Sequence, residues 1–292
     1  MIGPMLAHAG STLPWAGPLP GPVGPMLAHA GHGGGTGWSV AFPVGLGLAV
    51  LYVAAAARAR PGWPRSRTAR WLAGCGVLAV AGAPLVGPLG DARAHVLAHL
   101  LVGMVAPIGL VLGAPVTLLL RVCPPPRRRA IVGVLRSAPA RALSHPVTGL
   151  VLSVGGLWMV MLSPLYAAGP VPHQALLVHY LAAGTLLTWA LVGTDPSPHR
   201  AGLPMRVGVL AAAAAGHAVL AKYAYASAER MAGELATDAQ TLERAAMLMY
   251  YGADLADLAL AVILFSSWYA HRGRRFARTR PATVRNPTSV TF

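Results

Sequence analysis

The sequence is poor in charged residues, and most of its charge has one sign. Charged residues make up only 11% of the 292 residues, with 23 Lys and Arg against 8 Asp and Glu, whereas a soluble domain carries about 25%. This shortage excludes an ordinary soluble domain, and apolar segments of about 20 residues recur, which indicates a protein that crosses a bilayer. The formal charge of +15 comes almost wholly from arginines between those segments, since Lys222 is the only lysine. That distribution is typical of membrane topology and argues against a nucleic-acid-binding groove.

Cysteines and catalytic motifs are also scarce. Cys75 and Cys123 belong to no CxxC pair, so neither a zinc site nor a disulfide framework is predicted. The sequence has no Ser–His–Asp motif, no phosphate-binding loop and no HExxH motif. We therefore predict no catalytic residues and expect that the protein is not an enzyme.

The first 37 residues differ in composition from the rest. They are rich in Gly and Pro and contain a duplication, GPMLAHAG at 3–10 and again at 24–31. We predict a flexible extracytoplasmic arm here, without packed structure. The arm lacks the basic start and compact apolar core of a signal peptide. Its Met26, His29 and His32 could capture metal.

Seven apolar segments follow the arm, near 38–57, 71–90, 94–120, 146–163, 174–193, 207–226 and 246–270. Their lengths predict an all-α membrane protein with seven transmembrane helices over 38–271 and a basic tail at 272–292. Most of the 23 basic residues lie in the connections 58–70, 121–145 and 194–206 and in the tail. The positive-inside rule then predicts an N-terminus outside the cell and a cytoplasmic C-terminus.

Ionisable side chains within the apolar segments collect in their outward halves. Histidines lie in the third, fifth and sixth segments and carboxylates in the seventh: His95, His99, His173, His179, His217, Asp254 and Asp257. Polar groups in hydrocarbon usually face a protein interior, a cavity or a ligand. His95 and His99 are four residues apart, so a helix places both on one face. We therefore predict one shared site beneath the outer surface of the membrane.

The seventh segment carries a regular pattern of its own. Its polar and sulfur-containing residues follow i, i+3, i+7, i+10 spacing and are predicted to form one stripe: Met247, Tyr250, Asp254 and Asp257. The two aspartates require a partner, which could be Lys222, a histidinium or a bound cation. Histidine is a good ligand for copper, and thioether sulfur favours the cuprous ion. Copper is therefore the predicted ligand, bound transiently, although methionines in apolar helices usually serve as packing residues.

Several segments carry a resemblance to a known family. They are AHVLAHLLVGMVAPIGLVLGAPVTLLLR, SHPVTGLVL and PLYAAGPVPHQALLVHYLAAGTLLTWALVGTDPSPHR. The sequence resembles the multi-spanning CtaG-type cytochrome c oxidase assembly factors from about residue 38 to 275. The resemblance implies a protein of the bacterial plasma membrane that assists maturation of a heme–copper oxidase, with oxidase subunits and membrane lipid as partners. The family's histidines correspond to His95, His99, His173, His179 and His217, and an acidic residue corresponds to Asp254.

Two other functions remain open from the sequence. A b-type heme between His99 and His179 would make the protein a membrane electron carrier, because two histidines at similar depth on different helices suit bis-imidazole ligation. A copper transporter would need polar groups that continue to the cytoplasmic side, and the inward halves of the apolar segments have almost none. The assembly factor is therefore the leading hypothesis.

Overall fold

The computed structural model describes residues 40–59, 62–83, 91–162, 170–196, 200–235 and 238–279. All regular secondary structure in these ranges is helical. The helices are α1 (Ala41–Arg58), α2 (Arg65–Ala81), α3 (Asp91–Leu100), α4 (Ala106–Leu112), α5 (Pro115–Val122), α6 (Pro125–Arg136), α7 (Ala138–Leu143), α8 (Pro146–Leu150), α9 (Gly156–Leu162), α10 (Pro170–Val192), α11 (Leu203–Ala226), α12 (Ala228–Leu235) and α13 (Ala239–Thr279). A first π segment (Leu101–Val105) joins α3 to α4, and a second (Val151–Gly155) joins α8 to α9.

Five helical stretches are long and apolar enough to cross a membrane: Ala41–Arg58, Ala92–Leu112, Gln174–Val192, Leu203–Ala226 and Ala239–Gly273. The all-α membrane character is therefore confirmed. The predicted segments 71–90 and 146–163 correspond to shorter helices, the 17-residue α2 and the stretch Pro146–Val160. Parts of both lie outside the described residues, as do the arm and the end of the tail. Seven spans and the orientation of the termini stay predictions.

Small residues set the packing of the first helices. A Cβ at Gly45 of α1 would lie 2.8 Å from the carbonyl oxygen of Cys75 in α2. At Gly74 of α2 it would lie 2.8 Å from the backbone nitrogen of Leu110 in α4. Close backbone approach at small residues is a usual source of stability between membrane helices, where lipid is as apolar as the side chains. Cys75 is buried in this contact, and both cysteines are free thiols.

Several arginine-rich connections meet at one end of the helices. The Tyr52 hydroxyl at the end of α1 donates to the Gly113 carbonyl at 2.7 Å, and the Arg121 guanidinium donates to the Gly62 carbonyl at 3.5 Å. Near the start of α11, Arg206 donates to the Leu191 carbonyl at 3.0 Å. The Asp195 carboxylate after α10 also accepts from the Thr117 N–H of α5 at 2.8 Å. The connections around 58–70, 121–145 and 194–206 thus share one end, which we call the arginine end. This agrees with the predicted clustering of positive charge in these connections.

Aromatic residues mark two levels along α13. Lys222 lies over the Tyr250 ring at 5.6 Å, and Arg272 lies over the Trp268 ring at 5.3 Å. Eighteen residues of helix span about 27 Å, which is close to the roughly 30 Å thickness of the hydrocarbon region. Aromatic side chains are enriched at both membrane surfaces. Tyr250 lies on the side of the bundle opposite the arginine end, at a level where an aromatic residue of a membrane helix is expected, and the half of the bundle next to it is called the Tyr250 half below.

Candidate metal-binding site

His99 is the most deeply buried of the predicted histidines on α3. Its side chain is buried, and neither ring nitrogen has a hydrogen-bond partner among the described residues. The Tyr180 ring of α10 packs edge-on against it, with ring centroids 4.4 Å apart. The Tyr180 hydroxyl is also buried without a hydrogen-bond partner there. A buried polar group without a partner is costly, so these atoms are the ones most suited to receive a ligand.

The close approach of α10 to the first π segment positions these two rings. Gly103 lies one turn after His99, and its backbone contacts Gly184 of α10 so closely that a Cβ at Gly184 would overlap the Gly103 carbonyl. A Cβ at Gly103 would lie 3.5 Å from both the His99 and Tyr180 side chains. The site is therefore built where two glycines allow two backbones to touch. A π segment within an α-helix frequently accompanies a functional site.

A second buried pair lies on α11 and α13. The His217 Nδ1 and Asp257 Oδ2 atoms are 3.4 Å apart, and both side chains are buried. An ionised Asp257 accepts a hydrogen bond from the Nδ1–H group of His217, which leaves the lone pair of the imidazole on Nε2. Histidines that bind metals commonly use one ring nitrogen as the ligand and donate the other to a carboxylate. The pair thus has the arrangement of an oriented metal-binding imidazole.

The two parts of the site are neighbours. The half-buried His95 lies one turn before His99 on the same face of α3. Gly252 of α13 packs against Leu100 of α3, which brings Asp257 and His99 onto adjoining helices. Four of the seven predicted site residues thus lie in the Tyr250 half: His95, His99, His217 and Asp257. In the described ranges, however, no three His, Cys, Asp or Glu side chains are arranged as a complete set of metal ligands.

His179 is directed elsewhere. Its Nε2 atom lies 3.1 Å from the Leu152 carbonyl oxygen in the second π segment. A π segment shifts the helical hydrogen-bond pattern and frees a carbonyl group, and the imidazole N–H can satisfy it. If Nε2 of His179 carries the proton, it donates to the Leu152 carbonyl and cannot bind a heme iron. Only Nδ1 of His179 would then offer a lone pair.

The four residues that were predicted to form one stripe on α13 are not equally buried. Its side chain is exposed, as is that of Met247, whereas Asp257 is buried and Tyr250 is half-buried. The spacing therefore does not place the two carboxylates together, and Asp254 is not brought to His217. Lys222 lies over Tyr250 instead of pairing with an aspartate. The side chain of His173 lies outside the described residues.

Methionines do not add an evident sulfur ligand. Met104 and Met249 are buried within the apolar core of the Tyr250 half, while Met159 is 64% exposed. Packing is therefore the role that Met104 and Met249 display. The sequence reasoning missed Tyr180, since a tyrosine beside a histidine has no distinctive spacing.

Residues 50–271 match the family model described as "Cytochrome c oxidase caa3 assembly factor (Caa3_CtaG)". The chain belongs to this family. The resemblance predicted from the sequence is thereby confirmed.

This assembly-factor family member is also similar to three mycobacterial proteins that carry the name "uncharacterized protein". It is 37% identical over 189 residues to one from Mycobacterium bovis and to one from Mycobacterium tuberculosis, covering 60% of this chain and 29% of each relative. A protein from Mycobacterium leprae is 33% identical over 186 residues, covering 59% and 28%. The chain therefore spans less than a third of the length of these relatives. No solved structure matches it significantly.

Two of the segments that resemble the assembly factors meet at the arginine end. Asp195 of GTDPSPHR is buried and accepts hydrogen bonds from the Val116 N–H at 3.1 Å and the Thr117 N–H at 2.8 Å, both in GAPVTLLLR. The Thr117 hydroxyl donates to it as well, at 2.5 Å. Ala114 before α5 has a left-handed backbone (φ 55°) and no side chain that can cap the helix. Asp195 therefore supplies a helix cap from a distant part of the chain, an arrangement called the Asp195 clamp below.

Proposed function

We propose that this chain binds copper transiently in the Tyr250 half and passes it to a nascent cytochrome c oxidase in the bacterial plasma membrane. The observation that supports this most directly is the oriented His217–Asp257 pair beside His99, whose ring nitrogens have no partner among the described residues. Buried ionisable groups inside a membrane are costly and are usually retained for function. In this proposal copper is the cargo, and no catalytic step is required.

The chemistry of these residues suits a transient copper ligand set. Imidazole nitrogen binds copper well. Asp257 fixes the orientation of His217 and offsets positive charge when the ion arrives, while His99 contributes a second neutral nitrogen. In this proposal the ion is cargo, so it is held transiently and not as a permanent cofactor. Weak retention is what delivery to another protein requires.

Copper titration of the purified protein tests the proposal. The wild-type chain should bind copper in competition with a chromogenic chelator, and His99→Ala and His217→Ala should each lower the affinity strongly. Asp257→Asn keeps both imidazoles and should weaken binding by about 10- to 100-fold, the usual effect of losing a carboxylate behind a ligand. His271→Ala is the matched control, because His271 is exposed near the arginine end of α13. Unchanged copper stoichiometry in a His99→Ala/His217→Ala double variant would contradict the proposal.

The other two functions stay predictions, and the same preparation distinguishes them. A Soret band in the purified protein would favour the heme alternative. Copper uptake into sealed vesicles would favour transport. For delivery, deletion of the gene should lower the copper content of the oxidase, and added copper should restore it.

A further inference from the structure

The segment between α5 and α8 takes no part in the proposed copper site. It consists of α6 (Pro125–Arg136) and α7 (Ala138–Leu143), and neither helix contains a buried residue. Ser137 separates them and caps α7 by accepting the Ala140 N–H at 3.3 Å. The main contacts of α6 are with α7. These helices therefore form an ordered element on the outside of the bundle, called the α6–α7 element here.

The charge of this element is strongly one-sided. Residues 125–143 contain five arginines and no acidic residue: Arg127, Arg128, Arg129, Arg136 and Arg141. Three of them lie near the beginning of α6, where no acidic residue is present and the helix dipole is itself positive. The arginines thus repel one another and the helix end. Such an arrangement is stabilised when anions from outside the chain lie against it.

Exposed apolar side chains lie beside these arginines. Val134 is 67% exposed and Leu143 is 45% exposed, while Ile131 and Leu135 are half-buried. Apolar and cationic side chains together on a short surface helix are typical of helices that lie in the plane of a membrane surface. A water-filled environment would satisfy the arginines but not the apolar residues.

The chain holds the element next to the bilayer at both ends. On one side the Asp195 clamp fixes the start of α5, which follows the apolar stretch Ala92–Leu112. On the other side Pro146 is buried and Gly149 packs against Leu187 of α10. The two helices between these anchors are only 12 and 6 residues long. The element therefore lies where membrane-crossing helices reach the lipid headgroups.

We propose that the α6–α7 element binds the anionic lipid surface of the membrane, with its arginines on phosphate headgroups and Val134 and Leu143 in the acyl boundary. Arginine matches phosphate geometry through two parallel N–H donors. The occupant is lipid and not a second protein, because the bilayer is the partner that the anchored ends bring to it. This proposal concerns the opposite end of the bundle from the copper site and does not depend on it.

Hydrogen exchange of the full chain in lipid nanodiscs tests the proposal. Amides of α6 and α7 should exchange roughly tenfold more slowly in discs containing phosphatidylglycerol than in discs of phosphatidylcholine alone. The triple variant R127Q/R128Q/R129Q should abolish this difference, since each arginine near an anionic surface contributes about a fivefold factor in binding. The charge-retaining variant R127K/R128K/R129K should keep most of it.

Further readouts separate lipid binding from folding and from protein partners. Val134→Asp should raise exchange in both lipids, because it removes the apolar contact but keeps the arginines. Amides in the middle of α13 serve as the internal reference and should be unchanged in every variant. Equal exchange of α6 and α7 in the two lipids would overturn the proposal. Protection that appears only after oxidase subunits are added would also overturn it and assign the element to a protein partner.

Discussion

Replacing Asp195 by alanine should destabilise the protein more than any other single change at the arginine end. The carboxylate accepts hydrogen bonds from two backbone N–H groups and one hydroxyl of α5, at 2.5 to 3.1 Å, and it is only 4% exposed. Hydrogen bonds to a charged group contribute about 1.5–3 kcal/mol each. Alanine also relieves the cost of burying the charge, which offsets part of that loss. We therefore expect the free energy of unfolding to fall by about 3 kcal/mol.

The chain contains a matched control for this change. Asp238 caps α13 in the same chemical way, accepting from the N–H and the hydroxyl of Thr241 at 3.1 and 3.2 Å. Asp238 is exposed and joins no distant segment, so its replacement by alanine should cost about 1 kcal/mol, the usual value for a helix cap. Thr117→Val removes only one of the three bonds to Asp195 and should cost a similar amount.

The melting temperatures of the three variants are compared in detergent. Unfolding is detected as loss of the monodisperse peak in size-exclusion chromatography after heating. The melting temperature should fall most for Asp195→Ala and by smaller, similar amounts for Thr117→Val and Asp238→Ala. If Asp195→Ala and Asp238→Ala lowered it equally, the clamp would be no more than a local cap. An unchanged melting temperature in Asp195→Ala would refute the reasoning.

Three further predictions concern packing and the candidate site. Gly74→Ala should lower the melting temperature, because its Cβ would meet backbone atoms of α4 at 2.8 Å, while Gly76→Ala, which has open space, should leave it unchanged. Tyr52→Phe should cost about 1–3 kcal/mol in unfolding free energy, since the hydroxyl both donates to a carbonyl and accepts from a tryptophan; thermal unfolding measures this too. Asp254→Asn should leave copper affinity within about twofold of wild type, because this carboxylate is exposed and does not lie with the buried His217–Asp257 pair. If Asp254→Asn lowered copper affinity as much as Asp257→Asn in the same titration, both aspartates would serve the site.

The sequence predicted which segments are helical and membrane-like because those properties depend on local composition. It also predicted one shared site for all seven histidines and aspartates in the outward halves of the apolar segments, and His99, His217 and Asp257 of that set are buried on adjoining helices. It could not assign the faces of α13. In a membrane helix the lipid-facing side is as apolar as the packed side, so the pattern gives no amphipathic signal. Asp254 and Asp257 differ by only 60° around the helix axis, yet one is exposed and the other is buried.

The Asp195 clamp and the π segments depend on contacts that spacing does not reveal. Asp195 is 78 residues from Thr117 in the sequence, and a single Asp-Pro after an apolar segment reads as an ordinary turn. The sequence did contain one sign of the clamp, because Ala114 before Pro115 has no side chain that can cap α5. The free N–H groups at such a helix start need a hydrogen-bond acceptor from another part of the chain. The spacing of residues 151–155 does not distinguish the second π segment from an α-helix, and its contact between the Leu152 carbonyl and the His179 imidazole appears only in the structure.

The clamp also sets an order of events during biogenesis. The ribosome finishes α5 and the whole α6–α7 element before Asp195 exists, so the first N–H groups of α5 lack this acceptor in the nascent chain. The clamp can close only after α10, the helix that carries His179 and Tyr180, has been synthesised. The start of α5 therefore acquires its cap later than the helix itself is made.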